Sequence, residues 1–311
     1  MKSEFELIKE IVKKIPKNHQ GLIGIGDDCG VRLVPRGTNL LVTTDTLVEG
    51  VDFEMRQVSA DKVGRKALAV NLSDIAAMGA KPFAFVVALG IPKGMPQSWI
   101  KKFYSGMNPL IQKYELDCLG GDISSAKEFF VAITMIGIAE KKRFVRRVGA
   151  RSGEAIFVTG ELGGSILRKQ FLFQPRINEA QFLVQKFKPS AMIDISDGFL
   201  QDLGHVLESS GVGARLSGSE IPVSGDAVTL SRRSKKTAFQ HALSDGEDFE
   251  LVFTLQAHKI QTLRQIWKKK FPKTRLSEVG KVINGKNQIH WLKKEDAIEA
   301  SKITQKGYTH F

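Results

Sequence analysis

Residues 83–91 read FAFVVALGI, an uninterrupted apolar run of strand length, and helix-like segments flank it on both sides. In the segment 60–80, Val63, Ala67 and Val70 fall on one stripe, and the stretch from Ala67 to Met78 is apolar nearly all round, as in a buried helix. The segment 96–114 returns to a helical pattern. A buried strand between helices requires helix layered on sheet. The alternation continues, with strands expected at 129–139, 155–159, 191–198 and 279–283 and helices at 199–207 and 257–270. The fold class is therefore α/β.

A chain of 311 residues has room for two domains of ordinary size, and the basic, polar stretch 141–147 is the expected boundary, giving 1–143 and 144–311. No apolar run reaches the roughly 18 residues of a membrane span. The N-terminus is charged throughout and reads as an amphipathic helix with Phe5, Ile8, Ile11 and Ile15 on one face, not as a signal peptide. Cys29 and Cys118 are too few for a disulfide framework, which points to the cytoplasm. The net charge of +13 would suit nucleic acid or phosphate-bearing metabolites. However, the basic clusters at 141–143, 232–236 and 268–270 lack interleaved aromatics that could stack bases. A solvated basic surface with no specific nucleic-acid partner is expected.

Acidic residues interrupt the most apolar parts of this basic chain. The segment 21–31, GLIGIGDDCGV, sets Asp27 beside Asp28. In 40–53, LLVTTDTLVEGVDF, an apolar lead-in reads as the end of a buried strand. Thr43, Thr44 and Asp45 follow and offer hard oxygen ligands of the kind Mg²⁺ prefers. Asn71 and Asp74, three apart, share a helix face. A short strand at 116–119 runs into Gly120-Gly121-Asp122. In 191–198, AMIDISDG, Asp194 and Ser196 share a face and Asp197 turns away at Gly198. The segment 244–253 adds Asp245, Glu247, Asp248 and Glu250. The glycines of 160–165 precede a helix but do not form a Walker-type phosphate loop. Carboxylates converging in this number would require several divalent cations, and phosphoryl transfer is the chemistry that most often uses them.

Taken in order, GIGDDC, TTDTLVEGVDF, KALAVNLSDIAAMGA, GGD, IDISDG, GEDFEL and the terminal GYTHF cover nearly the whole chain. With them the chain resembles the thiamine-monophosphate kinases of the aminoimidazole-ribonucleotide synthetase-like superfamily. The resemblance implies direct in-line transfer of the ATP γ-phosphoryl group to thiamine phosphate, giving thiamine diphosphate and ADP. It implies an N-terminal ATP- and Mg²⁺-binding domain that pairs across a homodimer, and a C-terminal α/β domain that completes the substrate site. Carried over by motif, Asp28, Thr43, Thr44, Asp45, Asp74, Asp122, Asp194 and Asp197 would ligate several Mg²⁺ ions, with Asp45, Asp74, Asp122 and Asp197 central to catalysis. Tyr104, Gly121, Asp122, Arg147 and Ser196 would face ATP, and Glu247 and Tyr308 would lie at the thiamine site.

Two departures stand out. Asp52 replaces the family's His at a substrate-associated position, which leaves open a sibling enzyme acting on another phosphorylated or carboxylated molecule. Val148 follows Arg147 where the family reads R-S-G-A, so one hydroxyl is lost.

Overall fold

The structure, a computed structural model, describes residues 10–15, 33–141, 143–303 and 307. The expected Asp27–Asp28 loop, Cys29, Tyr308 and most of the N-terminal helix lie outside them; of the helix face, Ile11 and Ile15 are described and buried. The chain divides into two compact units, one of Met1–Ile75 with Ala80–Lys142 and one of Ala76–Gly79 with Arg143–Phe311. Among the described residues no helix is long and apolar enough to cross a membrane.

The first unit holds β1 (Thr38–Val48), α1 (Ala60–Ala77), β2 (Lys81–Pro92), α2 (Gln97–Tyr114), β3 (Asp117–Ala126) and β4 (Phe130–Glu140). They form a sheet of order β1-β4-β2-β3, antiparallel except for β2 with β3, which α2 connects as a crossover. One face carries Leu47, Phe85, Val87, Val131, Ile133 and Met135, all buried. Helix α1 lies against that face, where a Cβ on Gly137 would meet Ile75 Cδ1 at 2.8 Å. Helices α1 and α2 cross at backbone contact. A Cβ on Gly64 would fall on the Phe103 carbonyl oxygen, and one on Gly106 on that of Asp61. Helix α1 ends at Gly79, whose φ of +68° suits the glycine that closes a helix.

Two expectations are corrected here. Strand β1 does not end at Val42 but runs through Thr43-Thr44-Asp45 to Val48, because its whole length pairs with β4. Its lead-in is not buried either: Leu40 is 54% and Val42 67% exposed, on the face away from the helices. Likewise β3 does not turn at Gly120-Gly121-Asp122. It continues beside β2 to Ala126, and Gly121 permits that approach, since a Cβ there would fall on the Val87 carbonyl oxygen.

The second unit is built on a six-stranded sheet of β5 (Ala155–Thr159), β6 (Ala191–Asp194), β7 (Gly213–Leu216), β8 (Leu251–Leu255), β9 (Leu276–Ile283) and β10 (Ile289–Trp291), in the order β10-β7-β9-β5-β8-β6. Strands β5, β6 and β8 are buried along their whole length, which explains their continuous apolar character. Helix α5 (Phe199–Ser210) buries Phe199, Leu203, Val206 and Leu207 in the same core as Ile156, Ile193 and Val252. The helix expected after the glycines of 160–165 is only a 3-10 turn, Ser165–Leu167, and a four-residue α3 (Lys169–Leu172). Further short helices are α4 (Ile177–Phe182), α6 (Gly225–Ser231), α7 (Ala238–Ser244) and α9 (Lys294–Ser301), with α8 (Ile260–Lys270) the longer. A capping box between Thr237 and Gln240 starts α7.

Candidate functional site

In the first unit, strand alternation sends Thr43 and Asp45 to the helix-covered face, and α1 brings Asp74 to Thr43. The Thr43 hydroxyl donates to Asp74 Oδ2 in a short hydrogen bond. Asn71 sits one turn earlier on α1 and is fully buried. Its Nδ2 donates to the Ala67 carbonyl at 3.0 Å, which fixes the amide orientation, and its Oδ1 has no hydrogen-bond partner among the described residues. An orphaned buried acceptor one turn from a half-buried carboxylate fits a site for a cation and its water. Thr44, between Thr43 and Asp45, points the other way: its hydroxyl donates to the Ile133 carbonyl at 3.1 Å and accepts from Thr134 at 3.2 Å.

Other expected residues of this unit are placed apart. The register aligns Asp122 with Ala88 and Ala132 and thus with Thr46, in an outward-facing row. Strands β1 and β3 are separated by β4 and β2, so this strand lies about 14 Å from β1 at ordinary strand spacing. Tyr104 is only 5% exposed, packed edge-on to Phe103, and burial pushes its hydroxyl pKa upward, with Cys118 adding to the effect. Asp52 closes its own turn: its Oδ2 accepts the Val48 N–H at 2.8 Å, and its carbonyl accepts from the buried Lys66 Nζ at 3.1 Å.

In the second unit, the end of β6 and the start of α5 bring three carboxylates together. Asp194 is 4% exposed and Asp197 half-buried, and Asp202, one turn into α5, accepts the N–H groups of Asp197 and Gly198, each at 3.0 Å. Burial, then the charges of Asp194 and Asp197, push the Asp202 carboxyl up to about 8. Ligand atoms of Asp197, Asp202 and His205 lie within 4.8 Å of one another. Such mutual repulsion is what a divalent cation relieves, so this cluster also fits one. Asp202 and His205 were not among the expected site residues; the D-G-x-x-x-D spacing across a helix start was the available signal. Arg147 is exposed.

The loop after α7 lies directly on this cluster. Ser196 contributes its carbonyl, which accepts the Glu247 N–H at 2.6 Å. Asp248 is fully buried, and both its oxygens accept the Gly163 N–H, at 3.0 and 2.8 Å. Burial raises its carboxyl to about 6, against the pull of Lys169, Ser165 and Gly163, and Glu250 adds to the rise. For Glu250, burial opposes ionisation, but Lys169 and Arg176 outweigh it and hold the carboxyl below its usual value.

A pH-dependence follows. The folded state holds a proton on Asp248 more tightly than the unfolded state. That contribution is fully present below about pH 4 and is lost as pH rises through about 6. Asp248→Asn removes it. Wild-type stability relative to this variant, from urea titrations at pH 4, 5, 6 and 7, should fall by roughly 2 kcal/mol between pH 4 and 7, most of it before pH 6. The Glu250 shift acts in the opposite direction but is present in both proteins. A difference independent of pH would mean that Asp248 titrates normally.

A family model described as the N-terminal domain of AIR synthase related proteins matches residues 26–139. The chain is 36% identical over 300 residues to a thiamine-monophosphate kinase of Rhodopirellula baltica, covering 94% of this chain and 92% of that one. Its fold matches the crystal structure of a thiamine-monophosphate kinase from Stenotrophomonas maltophilia with a TM-score of 0.82 at 31% identity, over 93% of this chain and 96% of that one. A structure described as AaThiL complexed with AMPPCP and TMP matches with a TM-score of 0.75 at 29% identity, over 99% of this chain and 97% of that one.

Proposed function

Because the chain belongs to the thiamine-monophosphate kinase family, we propose that it transfers the γ-phosphoryl group of ATP to thiamine phosphate, giving thiamine diphosphate and ADP. The observation that carries this reading is the hydrogen bond of Thr43 to Asp74, with Asp45 on the same face of the strand and an unsatisfied Asn71 acceptor one helical turn away. The complex of a relative with AMPPCP and TMP supports the same pair of substrates.

The acceptor is a phosphate oxygen that is already ionised near neutral pH, so the chain need not supply a strong general base; positioning provides most of the catalysis. Thr43, Asp45 and Asp74 of the first unit and Asp194 and Asp197 of the second would hold Mg²⁺, as would Asp28, which lies outside the described residues. Bound Mg²⁺ supplies neutralisation of phosphate charge. The Thr43 hydroxyl fixes one oxygen of Asp74 and so orients the other. Asp202 holds the Asp197–Gly198 backbone in place through two N–H groups. By motif, Gly121, Asp122, Arg147 and Ser196 serve ATP and Glu247 and Tyr308 serve thiamine phosphate. Tyr104 takes a packing role, consistent with its burial. The Asp52 carboxylate is committed to its own turn, so the position does not by itself argue for a different acceptor.

ADP release coupled to thiamine phosphate tests the reading. Turnover that requires Mg²⁺ and thiamine phosphate together is expected; turnover only with another phosphorylated or carboxylated acceptor would overturn it. The reading also places the protein in the cytoplasm and pairs it as a homodimer. Support for pairing comes from the outward sheet face, where Leu40, Val42 and Val86 are 54%, 67% and 38% exposed. Val42→Asp should convert a dimer to a monomer in sedimentation velocity, whereas a wild-type monomer would remove the homodimer from the account.

A further inference from the structure

The loop 245–250 has a backbone that its sequence does not favour. Glu247 and Phe249 adopt φ of 64° and 49°, a left-handed region that residues with a Cβ avoid. Such conformations persist only where the surroundings over-determine them, and they concentrate at functional sites. Here the determination comes from two sides. Residues 247 and 249 donate their N–H groups to the carbonyls of Ser196 and Ile195, at 2.6 and 2.7 Å, which fastens the loop to the chain leaving β6. Residues 248 and 250 send their carboxylates the other way, into the interior.

Those carboxylates meet a buried ionic frame. Arg176 grips Glu250 with both arms of its guanidinium, Nε to Oε2 and Nη2 to Oε1, each at 2.7 Å. Lys169 Nζ lies 3.0 Å from Glu250 Oε1 and 3.7 Å from Asp248 Oδ1. The Thr159 hydroxyl donates to Glu250 Oε2 at 2.8 Å. Glu250 is 1% exposed and Asp248 0%. A bidentate, charge-assisted pair at this depth fixes direction as well as distance. We propose that Arg176 and Lys169, acting through Glu250 and Asp248, are positioning residues that hold Glu247 in the orientation in which it receives thiamine phosphate. The proposal rests on the reading above, in which Glu247 faces that substrate. Neither cation belongs to the motifs that carry the metal and nucleotide sites.

Two variants of the full chain test it. Arg176→Lys keeps the charge and loses the fork. The double change Arg176→Met with Glu250→Met removes both charges of the fork together, and Glu179, the other carboxylate beside Arg176, keeps its hydrogen bond from Thr274 at 2.9 Å. For each, kinetics with thiamine phosphate and hydrogen exchange of peptides spanning residues 245–251 are measured, together with the melting temperature. The expected result is a KM for thiamine phosphate raised about 10-fold, kcat and the KM for ATP within about twofold, and exchange across the loop faster by about 10-fold. Lys169→Met should give a smaller change of the same kind, because the Arg176 fork remains. Loop exchange and the thiamine phosphate KM both unchanged in a folded variant would overturn the proposal. So would equal losses with both substrates that track melting temperature, since a merely structural role would produce them. If the wild-type chain does not use thiamine phosphate, the reading of Glu247 fails. The exchange measurement still decides whether the frame sets the loop.

Discussion

Asp74→Asn is expected to reduce Mg²⁺-dependent phosphoryl transfer by about 10³-fold, the scale of losing some 4 kcal/mol of charge stabilisation in the transition state. The substitution is nearly isosteric, and the amide oxygen it introduces can still accept the Thr43 hydroxyl. What is lost is the negative charge at the one place where α1 and β1 bring a carboxylate, a threonine hydroxyl and an orphaned Asn71 oxygen together. The melting temperature should therefore stay within a few degrees of wild type while kcat collapses, and Asp45→Asn should behave in the same way. A rate within tenfold of wild type, at saturating Mg²⁺ and with the fold intact, would remove Asp74 from the site.

The largest effect on stability is expected at Gly64. Alanine in place of a mid-helix glycine ordinarily stabilises by about 1 kcal/mol. Gly64 should reverse that sign, because the added Cβ would fall on the Phe103 carbonyl oxygen of α2. The reciprocal contact of Gly106 with the Asp61 carbonyl leaves little freedom for the two helices to slide. Relief requires α1 and α2 to separate, which disturbs the packing of Phe103 and Trp99 of α2 on Phe129. Overpacking of this kind costs on the order of 3 kcal/mol. Urea unfolding of Gly64→Ala should show a lower midpoint at an unchanged slope. A midpoint equal to or above wild type would mean that the helices can part without loss.

The elements with strong periodicity were legible in the sequence: α1, α2, β2, β4 and β5 lie within a few residues of their expected bounds. The short elements of the second unit, such as β7, β10 and α6, carry too few residues to show a period and are stabilised by their neighbours in the sheet or core. Polar residues misled where they sat inside strands. Thr43-Thr44-Asp45 and Gly120-Gly121-Asp122 resemble turns, yet cross-strand pairing carries the backbone straight through both. That straight course puts Thr44 and Asp122 on the outward face and leaves Thr43 and Asp45 on the inward one. The placement of Asn71 and Asp74 on one face of α1 could be anticipated because helical geometry is local. The frame around Glu250 could not: Arg176 lies 74 positions away, and only the folding of β5, β8 and α4 brings them together. Asp52 shows the reverse case, since a carboxylate four residues after Val48 can close a turn locally, and does.

The most direct test of phosphoryl transfer to thiamine phosphate follows the phosphoryl group itself. With ATP labelled in the γ position, Mg²⁺ and thiamine phosphate, all transferred label should appear in the terminal phosphate of thiamine diphosphate, and denatured protein should carry none. Label recovered on the protein, as inorganic phosphate alone, or only on a different acceptor would contradict direct transfer to thiamine phosphate.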